Sequence, residues 1–165
     1  MKKSQCQTIF LLGCIALLLA SCGAHSPSIL QEHHRSIHVA VLKNETQQYS
    51  LEERMTRSII SSFQRDGRLR VSPGSAADLQ LQGVIKSADV TPIGYTDLDR
   101  AIGYTLGVIV EISVLDESTG DYLIEKRPFT ATGTYMLSNE PSVARAQDVT
   151  DNLAEQVLSA LIEGW

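Results

Sequence analysis

Four histidines, nineteen carboxylates and three cysteines are the side chains of this 165-residue chain that could do chemistry, and their spacing decides which kind. His25, His33 and His34 crowd one short stretch, and imidazole is a common ligand of transition metals. No Cys, Asp or Glu set joins them at a useful ligand spacing, so they read as solvated residues of a tether. His38 falls on the polar phase of a strand and lacks the partners of a nucleophilic triad. The Asp97/Asp99 and Asp148/Asp151 pairs are spaced like acids on a loop and on a helix surface. With no glycine-rich phosphate loop and no nucleophile elbow either, the chain reads as a non-enzyme without cofactor or metal. Lys86, Arg100, Lys126 and Arg127 have the chemistry to face anionic sugar phosphates, but, scattered as they are, they read as solubilising charge.

The cysteines are more informative. Cys6 and Cys14 lie in a segment laid out as a secretory signal peptide. Lys2 and Lys3 come first, then an apolar run from Ile9 to Ala20 broken by Gly13 and Cys14, then Ser21-Cys22-Gly23. That run is shorter than the ~20 helical residues needed to cross a hydrocarbon core of about 30 Å. Leu19-Ala20-Ser21-Cys22 resembles the bacterial lipobox. The resemblance implies a diacylglycerol on the Cys22 thiol, cleavage just before it, and acylation of the new amine. Residues 1–21 are then a removed signal peptide, residues 22–35 a lipidated N-terminus and tether, and residues 36–165 one domain. Gly23 replaces the aspartate that commonly retains such proteins at the inner membrane, which implies delivery to the outer membrane. One acyl chain binds a membrane only marginally, at about 0.8 kcal/mol per buried CH₂, whereas two or three hold it firmly.

Charge and cysteine count agree with that reading. Lys+Arg 14 against Asp+Glu 19 gives −5, and loss of Lys2 and Lys3 takes the mature form to −7. Nucleic acid, which needs clustered cations, is a poor partner for such a chain. Only Cys22 remains after processing, so the domain has no internal disulfide and relies on packing, although the periplasm would permit one.

The elements that must carry these residues follow from periodicity. Ile37, Val39 and Val41 alternate as a strand running to Leu42. Ser50–Asp66 is a helix with a Leu51, Met55, Ile59 and Phe63 stripe, a potential Ser50/Glu53 capping box, and Gly67 as its left-handed cap. Leu69-Arg70-Val71 is a short strand stopped by Ser72-Pro73-Gly74, and a longer one spans Asp78 to Val90. Thr91–Ala101, with Pro92, Gly94, Asp97 and Asp99, reads as a loop or hairpin tip. Gly103–Leu115 and Tyr122–Tyr135 are strands joined by an Asp116–Gly120 turn, and Pro128 puts the latter at an edge or a bulge. Ser142–Glu163 closes the chain as a helix with a Val149, Leu153, Val157 and Leu161 stripe. The fold class is α+β: two helices on one face of a mostly antiparallel sheet of about four strands.

In this order and spacing, Ile37 to Leu161 resembles the LptE family of lipopolysaccharide-assembly lipoproteins. The matching features are a strand ending in Asn44, the Leu51–Phe63 helix, and Ala77-Asp78-Leu79 opening a strand. Tyr104–Leu115, the Asp116…Thr119-Gly120 turn, Tyr135 and the closing helix complete them. The resemblance implies a non-catalytic plug and assembly partner inside an LptD-type outer-membrane β-barrel, with lipopolysaccharide as a further contact. The Tyr95, Asp97, Asp99 and Arg100 tip would then meet a polar barrel wall, with a solvated hairpin tip as the plain alternative. Ile37-His38-Val39-Ala40-Val41 followed by Asn44 and an amphipathic helix also resembles lipoproteins of curli secretion and activators of peptidoglycan synthases. That leaves a second kind of periplasmic binding lipoprotein open.

Overall fold

The computed structural model describes residues 29–96, 98, 100–136 and 143–162. Strand β1 (Ser36–Val39) buries Ile37 and Val39, as their alternation requires. The alternation does not continue to Val41, which is 70% exposed, while Leu42 is buried at 2%. Ala40 still donates its N–H to Leu81 O, but the Leu42 N–H goes to Thr56 Oγ1 on the following helix. Leaving the ladder there shifts the inward phase by one residue, which swaps the faces of everything after it. The chain then pairs briefly again as β2 (Lys43–Asn44).

Helix α1 (Leu51–Asp66) turns its Leu51, Met55, Ile59 and Phe63 stripe inward. Gly67 caps it at φ 75, its N–H on Phe63 O at 3.0 Å. The Ser50/Glu53 capping box does not form, because Ser50 is itself left-handed at φ 59 and its side chain caps nothing. Asn44 organises the entry instead. Its amide donates to Gln48 O and to the Glu52 carboxylate, and its Oδ1 accepts from the Thr46 N–H and hydroxyl.

Strand β3 (Arg70–Val71) and a 3₁₀ turn (Gly74–Ala76) lead to the three long strands β4 (Leu79–Tyr95), β5 (Ala101–Asp116) and β6 (Tyr122–Met136). Helix α2 (Val143–Ile162) completes the described chain. The sheet has six strands in the order β3-β1-β4-β5-β6, with β2 also on β4. It is mixed, which corrects the expectation of about four mostly antiparallel strands. β1 runs parallel to β3 and β4, and β2 parallel to β4. The cause is α1, a crossover that returns the chain to the end where β1 began, whereas the tight β4–β5 and β5–β6 turns make antiparallel pairs.

One core joins both helices to one sheet face. Leu81, Ile85, Val108, Val110, Ile112 and Phe129 meet the α1 stripe and the Val149, Leu153, Val157 and Leu161 stripe of α2. The opposite face is mostly polar, with Gln80, Gln82, Glu111, Ser113, Thr130, Thr132 and Thr134 at least partly exposed, and Ile109 and Tyr122 exposed among them. Pro128 lies on β6, an edge strand, as expected.

Candidate functional site

Two places at the margins of this sheet carry groups suited to function. The first is the distal end of the β4–β5 hairpin. Pairing continues to Tyr95↔Ala101, so Thr91–Tyr95 and Ala101, expected to lie in a loop, are strand. Pro92, one of the four residues behind the loop reading, is tolerated because β2 stops pairing at Ile85 and β4 then has only β5 beside it. Thr96 donates its N–H to Arg100 O, and its hydroxyl accepts from the Arg100 N–H at 3.3 Å.

Asp89, Val90, Thr91 and Pro92 are all exposed, so neither face of β4 is covered at this level. Apolar side chains stand in solvent there: Tyr95 is 60% exposed, Leu98 77%, Val90 41% and Ile102 42%. Arg100 is exposed beside them, while Asp97 and Asp99 lie outside the described residues. The apolar members Val90, Leu98 and Ile102 were not singled out by sequence. Val90 and Ile102 look like ordinary inward strand residues, and only the limit of helix cover exposes them.

The sequence-identified cations are not gathered at this end. Lys86 donates to Glu45 Oε2 at 2.7 Å, and Lys43 reaches the other Glu45 oxygen at 2.9 Å. These bonds, that from Lys86 foremost, lower the Glu45 carboxyl to about 2. Lys126, at φ 44 in the β6 irregularity, donates its N–H to Ser113 Oγ, and Arg127 lies over the Phe129 ring at 5.4 Å.

The second place is the chain entry. His34, expected to be a solvated tether residue, is buried. Its N–H closes a turn on Gln31 O, and the Gln31 N–H returns to His34 Nδ1, both at 3.0 Å. Nδ1 therefore accepts, so Nε2 holds the proton and donates it to Asp116 Oδ2 at 2.9 Å. His33 Nε2 lies 3.6 Å from the same oxygen, and the two imidazole centroids are 4.1 Å apart. Asp116 is buried, and its Oδ1 accepts from the Ser118 N–H and hydroxyl. The Ser118 hydroxyl, and then His34, hold this carboxyl well below the usual range. Asp116 is 82 residues from His34 in sequence, which is why no local spacing could pair them. Cys22 and His25 lie outside the described residues.

Comparison with known proteins agrees with this architecture. A sequence search of curated proteins finds no match. Solved structures share the fold. The hypothetical protein CT253 of Chlamydia trachomatis has a TM-score of 0.53 at 9% identity, over 79% of this chain and 96% of its own. The PelC dodecamer protein of Paraburkholderia phytofirmans has 0.51 at 18% identity, over 84% and 96%. Uncharacterized lipoprotein B of Nitrosomonas europaea has 0.51 at 12%, over 78% and 83%. The family model described as LptE, lipopolysaccharide-assembly, matches residues 35–161, from just before β1 through the last turn of α2. The chain belongs to the LptE family.

Proposed function

We propose that this protein is the lipid-anchored partner of an LptD-type outer-membrane β-barrel, serving lipopolysaccharide assembly as a plug and assembly aid without catalysing a reaction. Membership of the family supports the lipopolysaccharide-assembly role. The observation that carries the finer reading is the β4–β5 end, where Val90, Tyr95, Leu98 and Ile102 are exposed beyond the helices. A protruding patch of aromatic and aliphatic side chains, rimmed by polar residues, is the usual make-up of a contact surface. The threonine-rich open face of the sheet suits a water-filled, polar barrel interior. Among the described residues no helix is long and apolar enough to cross a membrane. In this reading the lipid on Cys22 supplies the attachment to the outer membrane.

Affinity purification from detergent-solubilised outer membranes, followed by mass spectrometry, tests the proposal. A stoichiometric lipopolysaccharide-translocon barrel is the expected product. A peptidoglycan synthase or a secretion ring without that barrel would overturn it. A Cys22→Ala chain, run alongside, should lose its lipid and its membrane retention.

A further inference from the structure

We propose that His33, His34 and Asp116 form a site for one divalent transition-metal ion of the zinc class, which pins the N-terminal segment to the β5–β6 turn. Two imidazoles bring their Nε2 atoms to one carboxylate oxygen, at 2.9 and 3.6 Å. All three ligand atoms lie within 4.8 Å of one another, and among the described residues this is the one such group of three. Tetrahedral zinc, with bonds of about 2.0–2.1 Å, holds its ligand atoms about 3.3 Å apart. The present nitrogen-to-oxygen distances of 2.9 and 3.6 Å lie on either side of that spacing.

The surroundings are those of a prepared site. Asp116 Oδ1 is committed to the Ser118 N–H and hydroxyl, which orients the carboxylate and leaves Oδ2 for the ion. The side chains of His34 and Asp116 are 0% and 2% exposed, whereas that of His33 is 48% exposed. The ion would thus be enclosed on one side and open on the other, with water completing four-coordination. Two nitrogens and one oxygen select zinc, cobalt, nickel or copper over calcium or magnesium, which prefer oxygen throughout.

Binding has a definite cost. Coordination at His34 Nε2 moves the imidazole proton to Nδ1, and the Gln31 N–H must give up its acceptor and turn to water. Gln31 is exposed, so that exchange is available to it. The consequence is mechanical. With metal bound, the link from this segment to a turn 82 residues away becomes a coordination cross-link, where otherwise it rests on the His34–Asp116 hydrogen bond.

The test uses the lipidated protein in detergent, carrying a tag without histidine and stripped with chelator. Zinc chloride is titrated by calorimetry and cobalt by visible absorption. One zinc per chain is expected. His33→Ala and Asp116→Asn should each weaken binding at least tenfold, while His25→Ala leaves it unchanged. Zinc should raise the thermal midpoint of the wild type and not of His33→Ala. Because Asp116→Asn also disturbs the turn, the half-exposed His33 variant decides. No stoichiometric uptake, or full affinity in His33→Ala, would overturn the site.

Discussion

Asp78 shows how one carboxylate joins two parts of the chain. Its Oδ2 accepts from the Arg35 N–H, the Ser36 N–H and the Ser36 hydroxyl, while its own N–H donates to Ser36 Oγ. This double link sets the start of β1 beside the start of β4. The Ser36 hydroxyl foremost, and then the Arg35 N–H, lower the Asp78 carboxyl. A folded value below the unfolded ~3.9 means that the folded chain binds fewer protons across that interval. The stabilisation is therefore present above the unfolded value and lost as pH falls through the folded one. Asp78→Ala should cost about 1.5 kcal/mol at neutral pH, the low end for bonds to a charged acceptor, because the carboxylate is partly solvated. Thermal unfolding followed from neutral pH into the acid range should fall less steeply for Asp78→Asn than for wild type. Asp66 and Asp116, also held low, keep part of the slope. A wild-type slope in Asp78→Asn would refute this assignment.

At the scale of elements, α2 reaches the sheet through a glycine. A Cβ built on Gly133 of β6 would stand 2.3 Å from Val149 Cγ2, closer than atoms can approach. The helix packs there because strand and helix meet without a side chain between them. Gly133→Ala should push α2 outward and destabilise the fold by about 1–3 kcal/mol, the usual cost of overpacking. Val149→Ala removes the obstructing methyls, so the double variant should be more stable than the two single losses predict when added. Denaturant unfolding of all four proteins measures that coupling. Simple additivity would mean that the helix does not meet the strand at this point. The stripes of α1 and α2 were legible from their 3.6-residue period, whereas this approach was not. A glycine in a strand signals a close contact without naming the partner.

The whole molecule separates a stability region from a contact region. Phe63 and Leu153 are fully buried in the shared core, and Tyr95 and Leu98 are exposed at the hairpin tip. Replacing Tyr95 and Leu98 together by Ser should leave the thermal midpoint nearly unchanged, since surface substitutions fall within about ±0.5 kcal/mol. The same variant should lose the barrel in the affinity purification. Intact recovery of the barrel would move the contact surface elsewhere on the molecule.

The sequence by itself determined the two helices, the three long strands and the α+β class, and it alone carries the proposal of a signal peptide and lipobox. Each of these rests on patterns within one segment: a charge step before an apolar run, or a period of two or 3.6 residues. Tertiary structure alone decided the parallel pairing of β1, β2 and β3, because strand direction depends on where a crossover lands. It also exposed Val41, buried Leu42, left Ser50 without a capping role, and turned most of Thr91–Ala101 into strand. The His33, His34 and Asp116 group belongs to the same class. Its members meet only after β5 has paired with both neighbours and brought its last residue to the chain entry, a closeness that no spacing along the chain records.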